Sequence, residues 1–377
     1  MAKKHIVIFS TLFLPHVGGV ENYTFHLASE LADLGFAVTV VTLTKNDSNN
    51  DDEYPFTVMR LQSHYLLNGR LPLAKFGTSR ELKSITPDYV IINTRFYPHS
   101  FTGIRFAKRN KVQPLIIEHG SAHITLGNPL IDRVVEAYEH LMTRLLSSSN
   151  AIYCGVSARC SEWLHHFNIT SSGELANSID AENYQSLSSG RDYRTELQPG
   201  SKPLICFAGR IVPEKGIEPL LKAAANIPDA FFCIAGDGPL LQKLKQAYEM
   251  PHIHFLGNLT QPEMSSLLQQ ANIFCLPSRS EGFSTSLLEA AACKAMPVIT
   301  DVGGARELIP NREYGIILQN NDPETIQEAL LTAIENPEST QTCANNVYER
   351  VVSQYSWKKT AEKAIRICRS LETPANQ

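Results

Sequence analysis

Ile273-Phe274-Cys275-Leu276-Pro277-Ser278-Arg279-Ser280-Glu281-Gly282-Phe283-Ser284-Thr285-Ser286-Leu287-Leu288-Glu289 passes from four apolar residues through a polar loop into helically spaced residues. A strand ending at Leu276, a loop carrying Glu281 and a helix opening near Ser284 make one strand-to-helix unit, the repeating element of a doubly wound α/β sheet. The same rhythm extends upstream. Strands are read at Leu204–Ala208, Ala230–Ala235 and His254–Leu256, and helices at Ile217–Ala225, Pro239–Tyr248 and Pro262–Gln270. Downstream, a helix over Thr285–Cys293 leads to a strand at Val298–Ile299. Short, wholly apolar strands separated by helices indicate a parallel sheet covered on both faces.

The N-terminal half repeats the pattern. Ile6–Phe9, Ala37–Leu43, Thr57–Leu61, Tyr89–Asn93, Leu115–Ile117 and Ala151–Cys154 read as strands, with helices at Val20–Leu34 and near Ile131–Leu146. Asn46–Glu53 reads as a surface loop. Between Tyr184 and Pro203 the apolar pattern lapses into Ser, Gly, Arg, Asp and Pro, as an interdomain linker does. The expected domains are therefore 1–190 and 191–356, followed by one amphipathic helix at about 357–377. Two such Rossmann-like domains are expected to face each other across a cleft at the carboxyl ends of their strands.

The 377 residues suit two cores. With 34 Lys plus Arg against 38 Asp plus Glu, the net charge is −4, which argues against a duplex-wrapping nucleic-acid partner. The eight cysteines show no C-x-x-C pair, which disfavours metal fingers and redox dithiols. Cys154, Cys206, Cys233 and Cys275 fall in apolar strands, where a free thiol acts as a small hydrophobe. A reducing, cytoplasmic location is expected. Lys3, Lys4 and His5 before Ile6–Leu14 imitate a secretory signal, but no small-x-small cleavage site follows. No stretch approaches the ~18 apolar residues a spanning helix needs.

Four constellations carry chemistry. The helix opening after Leu276 offers free N–H groups and a positive dipole end, an anion site suited to phosphate, bracketed by Glu281 and Glu289. An ordinary helix start with two solvated glutamates is the alternative. Ala208-Gly209-Arg210-Ile211-Val212-Pro213-Glu214-Lys215-Gly216 sets Arg210 and Lys215 at a strand end, where they would neutralise a diphosphate or simply flank a surface turn. Gly18 and Gly19 let backbone approach a ligand at a helix start, but form neither a G-x-G-x-x-G nor a P-loop fingerprint. Glu118-His119-Gly120-Ser121-Ala122-His123 places His119 at a strand end; Gly120 between the two histidines and the lack of a third ligand disfavour metal. Gly236-Asp237-Gly238-Pro239 either borders a nucleobase or is a plain turn.

These motifs, in this order and spacing, resemble those of retaining glycosyltransferases of family 4, the glycosyl transferases group 1, with the GT-B fold. The resemblance takes in Gly209-Arg210, Glu214-Lys215-Gly216, Gly236-Asp237-Gly238-Pro239, Phe255-Leu256-Gly257, Glu281 with Glu289, and Gly303-Gly304 with Glu307. In the first domain it includes Gly18-Gly19-x-Glu21, His119 and Asn177-Ser178-Ile179-Asp180. It implies that Arg210 and Lys215 grip the diphosphate, and that Glu281 holds the donor sugar with the amides of Gly282, Phe283, Ser284 and Thr285. Glu289 would take the ribose hydroxyls, the loop at Asn258–Leu259 and Gly238 would border the base, and His119 would face the reacting sugar. Ser178, Ser284 and Lys294 depart from the glycines or proline usual there; Ser284 bears on the donor. The terminal helix would cross back onto the first domain.

The activity so implied moves a sugar from a nucleotide-diphosphate donor to a hydroxyl of a glycan or lipid-linked acceptor, in cell-surface polysaccharide or glycolipid synthesis. No cofactor or metal is expected, the nucleotide-sugar being a substrate. A nucleotide-sugar epimerase on the same scaffold would release nucleotide without an acceptor, and a two-lobed solute-binding protein would be exported. Acceptor contacts are expected from Arg95–Ser100 and Ser121–Pro129. Peripheral membrane contact, through Ile104–Lys111 with Arg105, Lys108, Arg109 and Lys111 or through Lys358, Lys359, Lys363, Arg366 and Arg369, competes with a solvated helix face.

Overall fold

The structure is a computed structural model that describes all residues except 1–2, 17, 46–50, 52, 67–70, 76, 126–127, 148 and 372–377. Parts of the expected Asn46–Glu53 loop, the Ser121–Pro129 segment and the end of the terminal helix thus lie outside the described residues.

The first unit comprises residues 1–177 and 357–377. Its strands are β1 (His5–Phe9), β2 (Ala37–Thr44), β3 (Thr57–Leu66), β4 (Leu71–Ala74), β5 (Tyr89–Asn93), β6 (Leu115–Glu118) and β7 (Ile152–Gly155), in the order β4-β3-β2-β1-β5-β6-β7. All pair in parallel except β4, an antiparallel edge whose short apolar run Leu71-Pro72-Leu73-Ala74 is not among the expected strands. Val7, Phe9, Val41, Val90, Ile92 and Ile116, in register with one another, fill a core on one face of the sheet. The terminal helix Trp357–Ser370 belongs here: the Trp357 ring meets Tyr23 edge-on at 5.2 Å and stacks on His26 at 5.0 Å.

The second unit, residues 178–356, holds β8 (Leu204–Ala208), β9 (Phe231–Ala235), β10 (Ile253–Gly257), β11 (Ile273–Leu276), β12 (Met296–Thr300) and β13 (Ile316–Leu318). Their order is β10-β9-β8-β11-β12-β13, all parallel. Both units are doubly wound α/β sheets. The strand order reverses between β1 and β5 in one and between β8 and β11 in the other, and ligands bind outside the carboxyl ends of strands at such a switch.

The units divide at Ser178 instead of 191. The polar run after Tyr184 is not a free linker, because side chains of helix Gln261–Gln270 hold it to the second unit. Ser265 donates to the Tyr184 carbonyl at 2.7 Å, Gln269 to that of Gln185 at 2.8 Å and Gln270 to that of Arg191 at 2.8 Å. Low hydrophobicity showed where apolar burial stops; side-chain hydrogen bonds set which body the segment joins. All eight cysteines are buried free thiols.

Candidate active site

In the second unit, the loops after β8 and β11 flank the switch point and carry most of the expected residues. Arg210 follows β8, is exposed, and makes no ion pair among the described residues. Lys215 closes a short 3-10 turn, and its Nζ lies 2.6 Å from Glu281 Oε1, with side-chain exposures of 19% and 12%. Ser278 donates to the same carboxylate oxygen at 2.7 Å. The cation and the carboxylate, 66 positions apart, thus form one half-buried unit in the same pair of loops as the exposed Arg210.

Backbone contacts fix these loops. The Arg279 N–H donates to the Glu214 carbonyl and that of Ile211 to the Asp237 carbonyl, each at 2.8 Å. Gly216 has φ +66°, and a Cβ there would collide with the Pro277 carbonyl. Gly238 is tight for the same reason, its would-be Cβ lying 2.5 Å from the Ile211 carbonyl oxygen. Its observed work is therefore to seat the loop after β9 against the loop after β8. Leu259 is half-buried, between the end of β10 and the helix cap at Thr260.

Helix Thr285–Ala292 starts at the expected place. Ser284 is its cap, accepting from the Leu287 N–H at 3.3 Å, while Thr285 and Ser286 carry N–H groups with no intrahelical partner. Gly282 leads into this cap; the Phe283 side chain turns away, buried against Tyr355 at 5.3 Å. Glu289 lies one turn in, where desolvation raises its carboxyl to about 7, partly offset by the neighbouring Tyr184 hydroxyl. The sequence does not point to that hydroxyl, because the expected boundary at 190 places Tyr184 in the first domain, whereas it belongs to the second unit. Lys294, one of the departures from glycine, adopts the left-handed conformation at φ 61°, with its ammonium 4.6 Å from the Tyr348 ring centre.

In the first unit, Gly18 caps helix Gly19–Asp33, and a Cβ on it would strike the Glu21 carboxylate, whereas Gly19 faces open space. Glu21 is buried, and desolvation raises its pKa despite His16 at 3.5 Å. His119 follows β6, and its Nε2 lies 3.2 Å from Asn93 Oδ1 at the end of β5. The Asn93 amide donates to Thr24 Oγ1 at 2.6 Å, so its oxygen is left to accept from the imidazole. His119 then carries its proton on Nε2 and presents the Nδ1 lone pair. Desolvation lowers its pKa to about 3, keeping it neutral at neutral pH. Asn93 and Thr24 were missed; a polar residue closing the apolar run Tyr89–Ile92 is the signal that pointed to Asn93.

The expectation that Arg95–Ser100 contacts an acceptor does not hold for Arg95, His99 and Ser100, which are buried. Arg95 is held by Glu118 at 2.6 Å, Glu139 at 3.6 Å and Thr143 at 2.7 Å, with its guanidinium 3.7 Å from the Phe167 ring centre. A loop position after a strand suggested exposure, but two acidic residues from other elements draw the arginine inward. In Ile104–Lys111, Arg109 spends its guanidinium on the Leu82 carbonyl at 2.6 Å, while Arg105, Lys108 and Lys111 are exposed. Exposed apolar surface appears elsewhere: Leu130, Val134, Leu141 and Leu145 share one face of helix Pro129–Ser147 at 100° per residue. Among the described residues no helix is long and apolar enough to cross a membrane.

Residues 191–350 match the family described as glycosyl transferases group 1, and residues 17–175 match glycosyltransferase family 4. An uncharacterised glycosyltransferase of Methanocaldococcus jannaschii is 25% identical over 97% of this chain and 98% of its own length. The GPI3 subunit of phosphatidylinositol N-acetylglucosaminyltransferase from Saccharomyces cerevisiae is 24% identical over 99% of this chain and 84% of its own. The crystal structure of HepE from Anabaena in complex with UDP-glucose shares the fold, with a TM-score of 0.77, 16% identity, and coverage of 97% of this chain and 99% of that one.

Proposed function

This chain belongs to the group 1 glycosyltransferases with the GT-B fold, and from that premise we propose that it moves a sugar from a nucleotide-diphosphate donor to a hydroxyl acceptor with the anomeric configuration retained. The observation that carries the reading is the Lys215–Glu281 pair beside the exposed Arg210 at the switch point of the second sheet. A diphosphate placed there takes the two cations and the free amides of Thr285 and Ser286. Glu281 is then released toward the hydroxyls of the donor sugar, and Glu289 accepts from the ribose.

Negative charge grows on the departing phosphate as the anomeric C–O bond breaks, and fixed cations and dipoles stabilise it without reorganising. The acceptor oxygen bonds to the anomeric carbon on the face the phosphate leaves, and the acceptor proton passes to the departing phosphate oxygen. His119, neutral and fixed by Asn93, accepts a hydrogen bond from a sugar hydroxyl through Nδ1. The diphosphate is handled by Arg210 and Lys215 with no metal beside it.

The acceptor we propose is lipid-linked, placing the reaction in glycolipid or cell-surface polysaccharide synthesis. The exposed face of Leu130, Val134, Leu141 and Leu145, flanked by Arg133 and Arg144, supports this, since such a face lies into a lipid interface. A panel of UDP-, GDP- and ADP-sugars tested by thermal shift is expected to yield at least one stabilising donor. NMR of the glycosidic product is expected to show the donor's anomeric configuration, and product is expected only when acceptor is added. An inverted product refutes retention, and an altered nucleotide-sugar formed without acceptor favours an epimerase. Loss of liposome flotation in a Leu141→Asp, Leu145→Asp variant is expected if the acceptor is met at a membrane.

A further inference from the structure

Away from the donor site, three histidines and a glutamate meet on one side of the first unit. His123 lies in the segment after β6, Glu136 and His140 stand one turn apart on helix Pro129–Ser147, and His166 ends helix Ala158–His165. His166 Nε2 is 3.2 Å from His123 Nε2 and 3.2 Å from His140 Nε2. Glu136 Oε1 is 3.5 Å from His123 Nε2, and one ligand atom from each of the four falls within 4.8 Å of the rest.

The protons decide what this convergence means. Glu139 is a buried carboxylate whose Oε2 lies 2.9 Å from His123 Nδ1, so in the neutral imidazole that nitrogen holds the ring proton and Nε2 offers a lone pair. That lone pair faces the Glu136 carboxylate, acceptor against acceptor. A single His166 N–H, lying between two other imidazole nitrogens, cannot satisfy both contacts with good geometry. One cation at the centre resolves every conflict at once. Atoms bound tetrahedrally to zinc at about 2.0–2.1 Å lie roughly 3.3 Å from one another, close to the 3.2, 3.2 and 3.5 Å found for three of the pairs.

We propose that His123, His140, His166 and Glu136 form a structural zinc(II) site. Three imidazoles and one carboxylate are borderline nitrogen and oxygen donors, which suit zinc better than calcium or magnesium. Four protein ligands close the coordination sphere, the pattern of a structural and not a catalytic ion. Glu139 supplies the outer carboxylate that orients a metal-bound histidine. Trp163, stacked on His166 at 4.7 Å, walls the site. The ion would tie the segment after β6 to both helices, and Glu139, through Arg95 and Glu118, links it to the residue next to His119. Sequence spacing considered His119 with His123; His119 instead turns to Asn93, and the other ligands come from elements remote in sequence.

The test uses the full chain without a histidine tag, stripped by a chelator and then titrated with cobalt(II). The expected result is one equivalent bound, intense visible bands of tetrahedral cobalt, their loss on adding zinc, and a higher melting temperature with zinc. The His140→Gln, His166→Gln variant changes two exposed side chains and is expected to keep the native circular dichroism while losing the bands and the zinc-dependent shift. Glu136→Gln is expected to weaken zinc binding with the fold intact. Absence of tetrahedral bands in the wild type, or their survival in the double variant, overturns the proposal; donor thermal shifts are read separately and test the glycosyltransferase reading.

Discussion

The two units share a sheet architecture and differ at the ends of their strands. In the second, charge is kept accessible: Arg210 is exposed, and Lys215 and Glu281 are half-buried and paired. In the first, polar groups are withdrawn from water: His119 is neutral, and Arg95, Glu118 and Glu139 are each about 1% exposed. The proposed reaction fits this difference: a diphosphate needs cations it can reach, whereas a group proposed to accept a hydrogen bond from a sugar works better uncharged and fixed. One scaffold thus provides two electrostatic environments, set by which side chains the neighbouring elements supply.

The largest effect is expected where that withdrawal is broken. Arg95→Ala leaves two buried carboxylates without their cation, and about 3–5 kcal/mol of stability is expected to be lost. Chemical denaturation read by hydrogen exchange in the β6 segment checks this; a loss under about 1 kcal/mol would mean the cluster is not dry. In the other unit, Lys215→Ala is expected to lower turnover about 10²–10³-fold, by analogy with the loss of one oxyanion donor, while the melting temperature barely moves. Arg210→Ala is expected to behave alike, and near-normal turnover in both variants would rule out the proposed diphosphate role of the two cations.

Glu289 sharpens the contrast, being the withdrawn carboxylate of the accessible unit. Its pKa is raised from 4.5 to about 7, so the unfolded chain gives up this proton before the native one does. The stability tied to it is fully present below pH 4.5 and is lost as pH rises through 7. Melting curves from pH 4.5 to 7.5 are expected to show Glu289→Gln gaining on the wild type as pH rises; parallel curves would place the carboxylate in water. The smallest effect is expected at Ser284, where Ala removes a helix cap worth about 1 kcal/mol. Calorimetry measures that loss, and donor affinity tells whether the hydroxyl also meets the sugar.

The residues themselves determined the alternation of strand and helix in both halves, the strand-to-helix turns and the helix start at Ser284, because apolar periodicity and capping are local in the chain. Reading the loops after β8 and β11 was equally local, since each motif directly follows its strand. The tertiary structure alone decided that Lys215 finds Glu281, that Arg95 turns inward, that Tyr184 joins the second unit, and that His123 meets His140 and His166. Such partners are separated by up to about a hundred residues, and no periodicity links them. Each depends on desolvation and on the balance of hydrogen bonds after the sheet has closed, quantities that exist only once distant elements are packed together.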